Sequence, residues 1–205
     1  MNRYLLSAVL LLTLPASAAI SEIQSKSKWN NTLAACAVPS MTVGSGHLIA
    51  VWTSWHTTGA NNITASVGDS LSNQSYVSAV GPTLQPASNT AGQIFYIRSL
   101  QTGGVDIVTV TFSSTPTSSN CVAVEYSGLD PNYPLDSVSS GYSYSAGTYM
   151  DSGTAAPANA NLAVFGGWPS RSLPRHGVPH PWEFHGWASS NSPWHVHRGM
   201  FIGRS

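Results

Sequence analysis

The chain has 205 residues, of which only 8% are charged, with eight basic and eight acidic side chains balancing to zero. Ordinary globular domains carry about 25% charged residues. So sparse and balanced a charge excludes the basic patch of a nucleic-acid binder and the polybasic arm of a protein held on anionic membranes.

Residues 1–18 read as an export signal. Arg3 supplies a positive start, Tyr4 to Leu14 is apolar and uncharged, Pro15 breaks the run, and Ala16-Ser17-Ala18 is a small-residue cleavage motif. The run is shorter than the roughly 20 apolar residues of a membrane-spanning helix. The mature chain is therefore expected to begin at Ala19 and to be secreted, extracellular or periplasmic. Cys36 and Cys121 lie in strand-like runs, and in an oxidising compartment they are expected to form a disulfide.

From Leu33 to Phe165 the chain reads as strand after strand. The β-prone runs are Leu33–Val38, His47–Trp55, Ile63–Val67, Ser75–Val80, Gln93–Arg98, Val105–Phe112, Cys121–Tyr126, Val138–Tyr144 and Asn161–Phe165. Turn formers separate them, among them Gly68-Asp69-Ser70, Gly81-Pro82, Gly103-Gly104 and Asp130-Pro131-Asn132. Alternation puts Val108, Val110 and Phe112 on one face, whereas Leu48–Val51 and Val122–Val124 are apolar at every position and suit central strands. No window carries a helical apolar stripe. The pattern predicts an all-β, antiparallel, jelly-roll-like sandwich over residues 19–167.

After Gly167 the composition changes. Residues 168–205 hold five prolines, four tryptophans and five of the seven histidines, with neither a strand nor a helix pattern. This segment reads as an irregular tail. It is either a functional appendage or the product of a reading-frame shift that replaced the native ending. An unfinished sandwich would leave an open sheet edge through which the chain could self-associate.

The ordered motifs Gly46-His-Leu-Ile-Ala-Val51, Val67-Gly-Asp-Ser-Leu-Ser-Asn73, Gly92-Gln-Ile-Phe-Tyr96, Val108-Thr-Val-Thr-Phe112, Ala123-Val-Glu-Tyr-Ser-Gly128 with Pro134-Leu-Asp136, and Asn161-Leu-Ala-Val-Phe-Gly-Gly167 resemble a group of uncharacterised bacterial extracellular β-sandwich modules. The resemblance runs over roughly residues 24–167. It implies a secreted jelly-roll-like unit, often part of a larger surface protein, and no catalytic residues to carry over. In such modules strands continue past the position of Gly167, and here the tail departs from them.

Candidate sites follow from residue chemistry. His176, His180, His185, His195 and His197, with Glu183, could gather on zinc or copper, for which imidazole is a suitable ligand. Against that, the spacing matches no metal motif, and scattered solvated histidines explain the same residues. Asp130, Asn132 and Asp136 offer oxygen ligands for calcium but also make a plain turn. Glu125 and Asp106 are carboxylates on strand-like runs, as a glycosidase pair requires; alternatively, Glu125 is an outward-facing strand residue or a buried carboxylate held by hydrogen bonds. Gly141-Tyr-Ser-Tyr-Ser145 only approximates a nucleophile elbow, and a Ser–His–Asp set would have to draw on His47 or His56 with Asp69 or Asp136. Tyr142 and Tyr144 share a strand face and, with Trp55, are candidate platforms for sugar rings. The reading that results is a non-catalytic extracellular module contacting glycan or protein, with no cofactor. The alternatives are a small secreted hydrolase, metal-dependent through the C-terminal histidines, and a truncated or frame-shifted module without function of its own.

Overall fold

The structure is a computed structural model that describes residues 19–72, 75–85, 88–141, 156, 158, 162–167 and 200–204. Among these there is no α-helix, and thirteen strands pair antiparallel. The central sheet has the order β1-β10-β4-β7-β6, from Ser21–Asn31, Ser118–Ser127, Leu48–His56, Thr90–Ile97 and Val77–Gln85. Facing it lie β2 (Ala35–Ala37), β9 (Val108–Phe112) and β5 (Ala65–Asp69), continued by the short pair β3 (Met41–Val43) and β8 (Gly104–Asp106). The chain passes from one sheet to the other and back as it runs from β1 to β10. That winding is the jelly-roll connectivity expected from the strand pattern.

A third sheet, β11-β13-β12, from Leu135–Ser139, Met200–Arg204 and Leu162–Gly166, covers part of the opposite face of the central sheet. Two cores result. Ile49, Val51 and Trp55 of β4 point into one, with Val108, Val110 and Phe112 of β9. Leu48, Ala50 and Trp52 of the same strand point into the other, against Phe165 and Ala163 of β12. This explains the unbroken apolar runs: a strand covered on both faces gains nothing from alternation. Trp52 fits because Gly92 and Gly167 have no side chain, since a Cβ at either would run into its ring.

The Cys36–Cys121 disulfide joins β2 to β10, and so ties the two facing sheets together inside the first core. The sheet edges are polar or interrupted. Lys26 and Lys28 lie on β1, and Pro82 interrupts β6, two devices that discourage pairing with a further strand.

Three elements depart from the sequence reading. Strand β1 was not expected, because its sequence is almost wholly polar, and β3 is too short to signal itself. The expected run from Val105 to Phe112 divides into β8 and β9 at the exposed Ile107. Within the C-terminal segment, for which no strand was expected, Met200–Arg204 forms β13, paired with both β11 and β12. Its backbone groups are satisfied by two neighbours, which compensates for a short and weakly patterned sequence.

Candidate functional site

Polar side chains gather at the two ends of the sandwich and do different things there. At one end, Glu125 of β10 points into the first core and has no solvent exposure. Its charge is met by three donors. The Gly44 backbone N–H and His47 Nδ1 each lie 2.7 Å from Oε1, and Gln24 Nε2 donates to Oε2 at 2.7 Å. Gln24 is the cross-strand partner of Glu125 on β1, and its amide also donates to the Thr42 carbonyl at 2.6 Å. Charge-assisted bonds of this kind are about twice as strong as neutral ones.

The loop joining β3 to β4 is built to receive this carboxylate. The His47 ring lies against Gly44, where a Cβ would stand 2.6 Å from His47 Cε1. Gly46 takes φ of +80°, open to glycine at no steric cost. Its N–H donates to the Leu100 carbonyl, and the Leu100 N–H returns a bond to the His47 carbonyl, both at 2.8 Å. Bonded through Nδ1, the His47 ring is oriented by the carboxylate, and its Nε2 makes no hydrogen bond among the described residues.

Nearby, Asp106 of β8 is likewise without solvent exposure. Ser70 donates to its Oδ1 through both backbone N–H (3.0 Å) and Oγ (2.9 Å), and Ser70 Oγ accepts the Ile107 N–H at 2.9 Å. The turn after β5 is thereby fastened to the β8–β9 junction. Burial, and then the carboxylates of Asp69 and Asp106, push the Tyr76 phenol far above its ordinary pKa. Burial, and then Glu22, do the same to Tyr126.

The opposite end is neutral. On the face of the central sheet that also carries Trp52, strand register places Trp29, Asn120, Ser54, Gly92 and Thr83 side by side across all five strands. The next row is Asn31, Ser118, His56, Thr90 and Gln85. Neither row contains Asp, Glu, Lys or Arg. Trp29 is 43% exposed at the margin, whereas Asn120 and Ser54 in the middle are only 8% exposed. An exposed aromatic thus borders a recessed floor of amide and hydroxyl groups. Trp29 is steadied by its Nε1–H, which donates to Asn31 Oδ1 at 3.1 Å.

The sequence candidates fare unevenly. Trp55 is not a surface platform: it is 1% exposed, its ring packs on Phe112 with centroids 5.6 Å apart, and its Nε1–H donates to Asn61 Oδ1 at 2.9 Å. Tyr142, Tyr144, the five C-terminal histidines and Glu183 lie outside the described residues. Asp130 Oδ1 accepts from the backbone N–H groups of Asn132 (2.8 Å) and Tyr133 (3.1 Å), while Asp136 Oδ2 accepts from the Ala158 N–H (2.8 Å). Asp130 thus holds its own turn, and Asp136 ties β11 to a distant backbone segment. Among the described residues no three His, Cys, Asp or Glu side chains form a metal-ligating group. Glu125 and Asp106 are bound by separate sets of partners. Of the two readings of Glu125 as a structural residue, the buried carboxylate held by hydrogen bonds is the one realised.

Trp29 went unnoticed in the sequence because β1 did. The signal was there as a two-residue period: Ser25, Ser27, Trp29 and Asn31 share one face, and Lys26 and Lys28 the other. No protein-family model, curated protein or solved structure matches the chain.

Proposed function

We propose that this chain is a non-catalytic extracellular module that holds a glycan on the Trp29 end of its central sheet. The observation that carries this reading is the half-exposed Trp29 bordering a recessed row of neutral amide and hydroxyl side chains. Sugars present apolar C–H faces and many hydroxyls, so a fixed aromatic ring beside hydrogen-bonding side chains meets both needs. Five strands at about 4.8 Å spacing make the row roughly 19 Å long, enough for a short oligosaccharide lying across the strands. With no formal charge on the row, the favoured ligand is a neutral glycan rather than a uronic acid or sulfated polymer.

The buried carboxylates support a non-catalytic role. Glu125 is committed to Gly44, His47 and Gln24, and Asp106 to Ser70, so both brace loops instead of facing a cleft. The disulfide supports an oxidising compartment. No helix among the described residues is long and apolar enough to cross a membrane.

Affinity electrophoresis through gels containing soluble neutral polysaccharides, with a uronic-acid polymer as the charged control, tests the proposal. The full chain should be retarded by at least one neutral polymer, and the Trp29→Ala chain should not. Unretarded migration of the full chain in every gel, or equal retardation of Trp29→Ala, would refute it.

A further inference from the structure

Asp106 and Glu125 are both carboxylates without solvent exposure, but they are not equally satisfied. Glu125 receives donors on both oxygens. Asp106 receives both of its donors on Oδ1, and its buried Oδ2 has no hydrogen-bond partner. Among the described residues no basic side chain forms a salt bridge with it. A buried carboxylate oxygen with neither donor nor counter-charge is among the costliest groups a fold can hold, and an ion is one of the ordinary remedies.

A second carboxylate lies at the same end of the interior. The Cα partner of Asp69 on β9 is Val108, whose side chain is fully buried, so Asp69 faces inward as well. Ser70, the residue following Asp69, is the one that grips Asp106 Oδ1, which holds the two acids at one end of the interior. Tyr76 packs on the same core, and both carboxylates bear on its phenol.

We propose that Asp106 Oδ2 and the Asp69 carboxylate hold a calcium ion at this end of the sandwich, with water completing the shell. The donors are all hard oxygens, and the two acids would offset the ionic charge. Calcium accepts the irregular geometry of ligands drawn from a turn and a strand end, whereas magnesium demands near-ideal octahedral geometry. With only two carboxylates the site belongs with the weak calcium sites of extracellular modules, whose Kd values are on the order of 0.1–1 mM. Its role would be to lock the turn after β5 onto β8. This inference does not depend on the glycan proposal, and its test does not involve glycan.

The purified full chain, stripped with chelator, is titrated with calcium chloride by calorimetry, and its thermal unfolding midpoint is followed with calcium or chelator present. One site is expected, together with a rise in the midpoint that magnesium chloride does not reproduce. Asp106→Asn and Asp69→Asn should each weaken calcium binding about tenfold or more, since affinity follows the number of charged ligands. Asp130→Asn should leave binding unchanged. If Asp106→Asn does not fold, Asp69→Asn, at a partly exposed position, supplies the readout. Absence of any calcium heat and midpoint shift in the full chain would overturn the proposal. So would unaltered binding in Asp69→Asn, or loss of binding in Asp130→Asn.

Discussion

The two ends of the sandwich use polar residues in opposite ways. Around Glu125 and Asp106 the chain buries charge and commits its loops to it: the Gly44 N–H, the His47 ring, the Gln24 amide and Ser70 are all engaged. Around Trp29 it places neutral amides and hydroxyls in a row and leaves an indole 43% exposed beside them. The first arrangement turns its hydrogen-bonding capacity inward, with Glu125 met on both oxygens and Asp106 on Oδ1 alone. The second sets an exposed indole beside a floor of amide and hydroxyl groups that carry no carboxylate or ammonium among them. A buried polar group costs free energy unless it is paired, whereas a surface one remains available to a partner. The proposed binding face thus lies away from the buried carboxylates, where a search for catalytic chemistry would have begun.

Mutations at either end, and in the cores between them, should sharpen or break this contrast. The largest effect is expected from replacing Cys36 and Cys121 together by Ala, since the bridge closes a loop spanning a separation of 85 residues. The chain-entropy model assigns such a loop about 4–5 kcal/mol, measurable as a lowered urea midpoint. Next, Phe165→Ala should cost about 3 kcal/mol, because Phe165 is 1% exposed and seals the third sheet onto the central one. An effect near zero would show that the third sheet does not cover this face. Glu125→Ala should cost about 2–3 kcal/mol by leaving three donors without their acceptor. Glu125→Gln, which keeps the shape, should cost less. Gly92→Ala should cost about 1–3 kcal/mol through collision with Trp52, read from the thermal midpoint. Trp29→Ala should change stability by less than about 1 kcal/mol, as surface substitutions do, yet abolish glycan retention.

What the sequence made legible follows from burial. Strands β4, β7, β9 and β10 stood out because one or both faces lie in a core, which enforces β-branched and aromatic residues at set positions. The disulfide was legible from compartment and cysteine count. Strand β1 was hidden because an edge strand with lysines and serines carries no apolar pattern, and Trp29 was hidden with it. Strand β13 was hidden because Met200-Phe201-Ile202 is a short apolar run at the end of a proline- and tryptophan-rich stretch. The role of Glu125 could not be read locally, since its partners lie 78, 81 and 101 residues away in the chain. Trp55 misled because a Trp at the end of a strand suits a surface or a core equally, and only the register of β4 against β10 and β7 turns it inward.

The most direct test of the difference between the two ends is a titration of the isotopically labelled full chain with a short neutral oligosaccharide, followed by amide and indole NMR shifts. The account predicts shifts concentrated at the Trp29 indole, Asn31, Asn120 and Ser54, with His47, Gly44 and Ser70 unmoved. Shifts centred on His47 and Gly44, with the Trp29 indole unmoved, would contradict it.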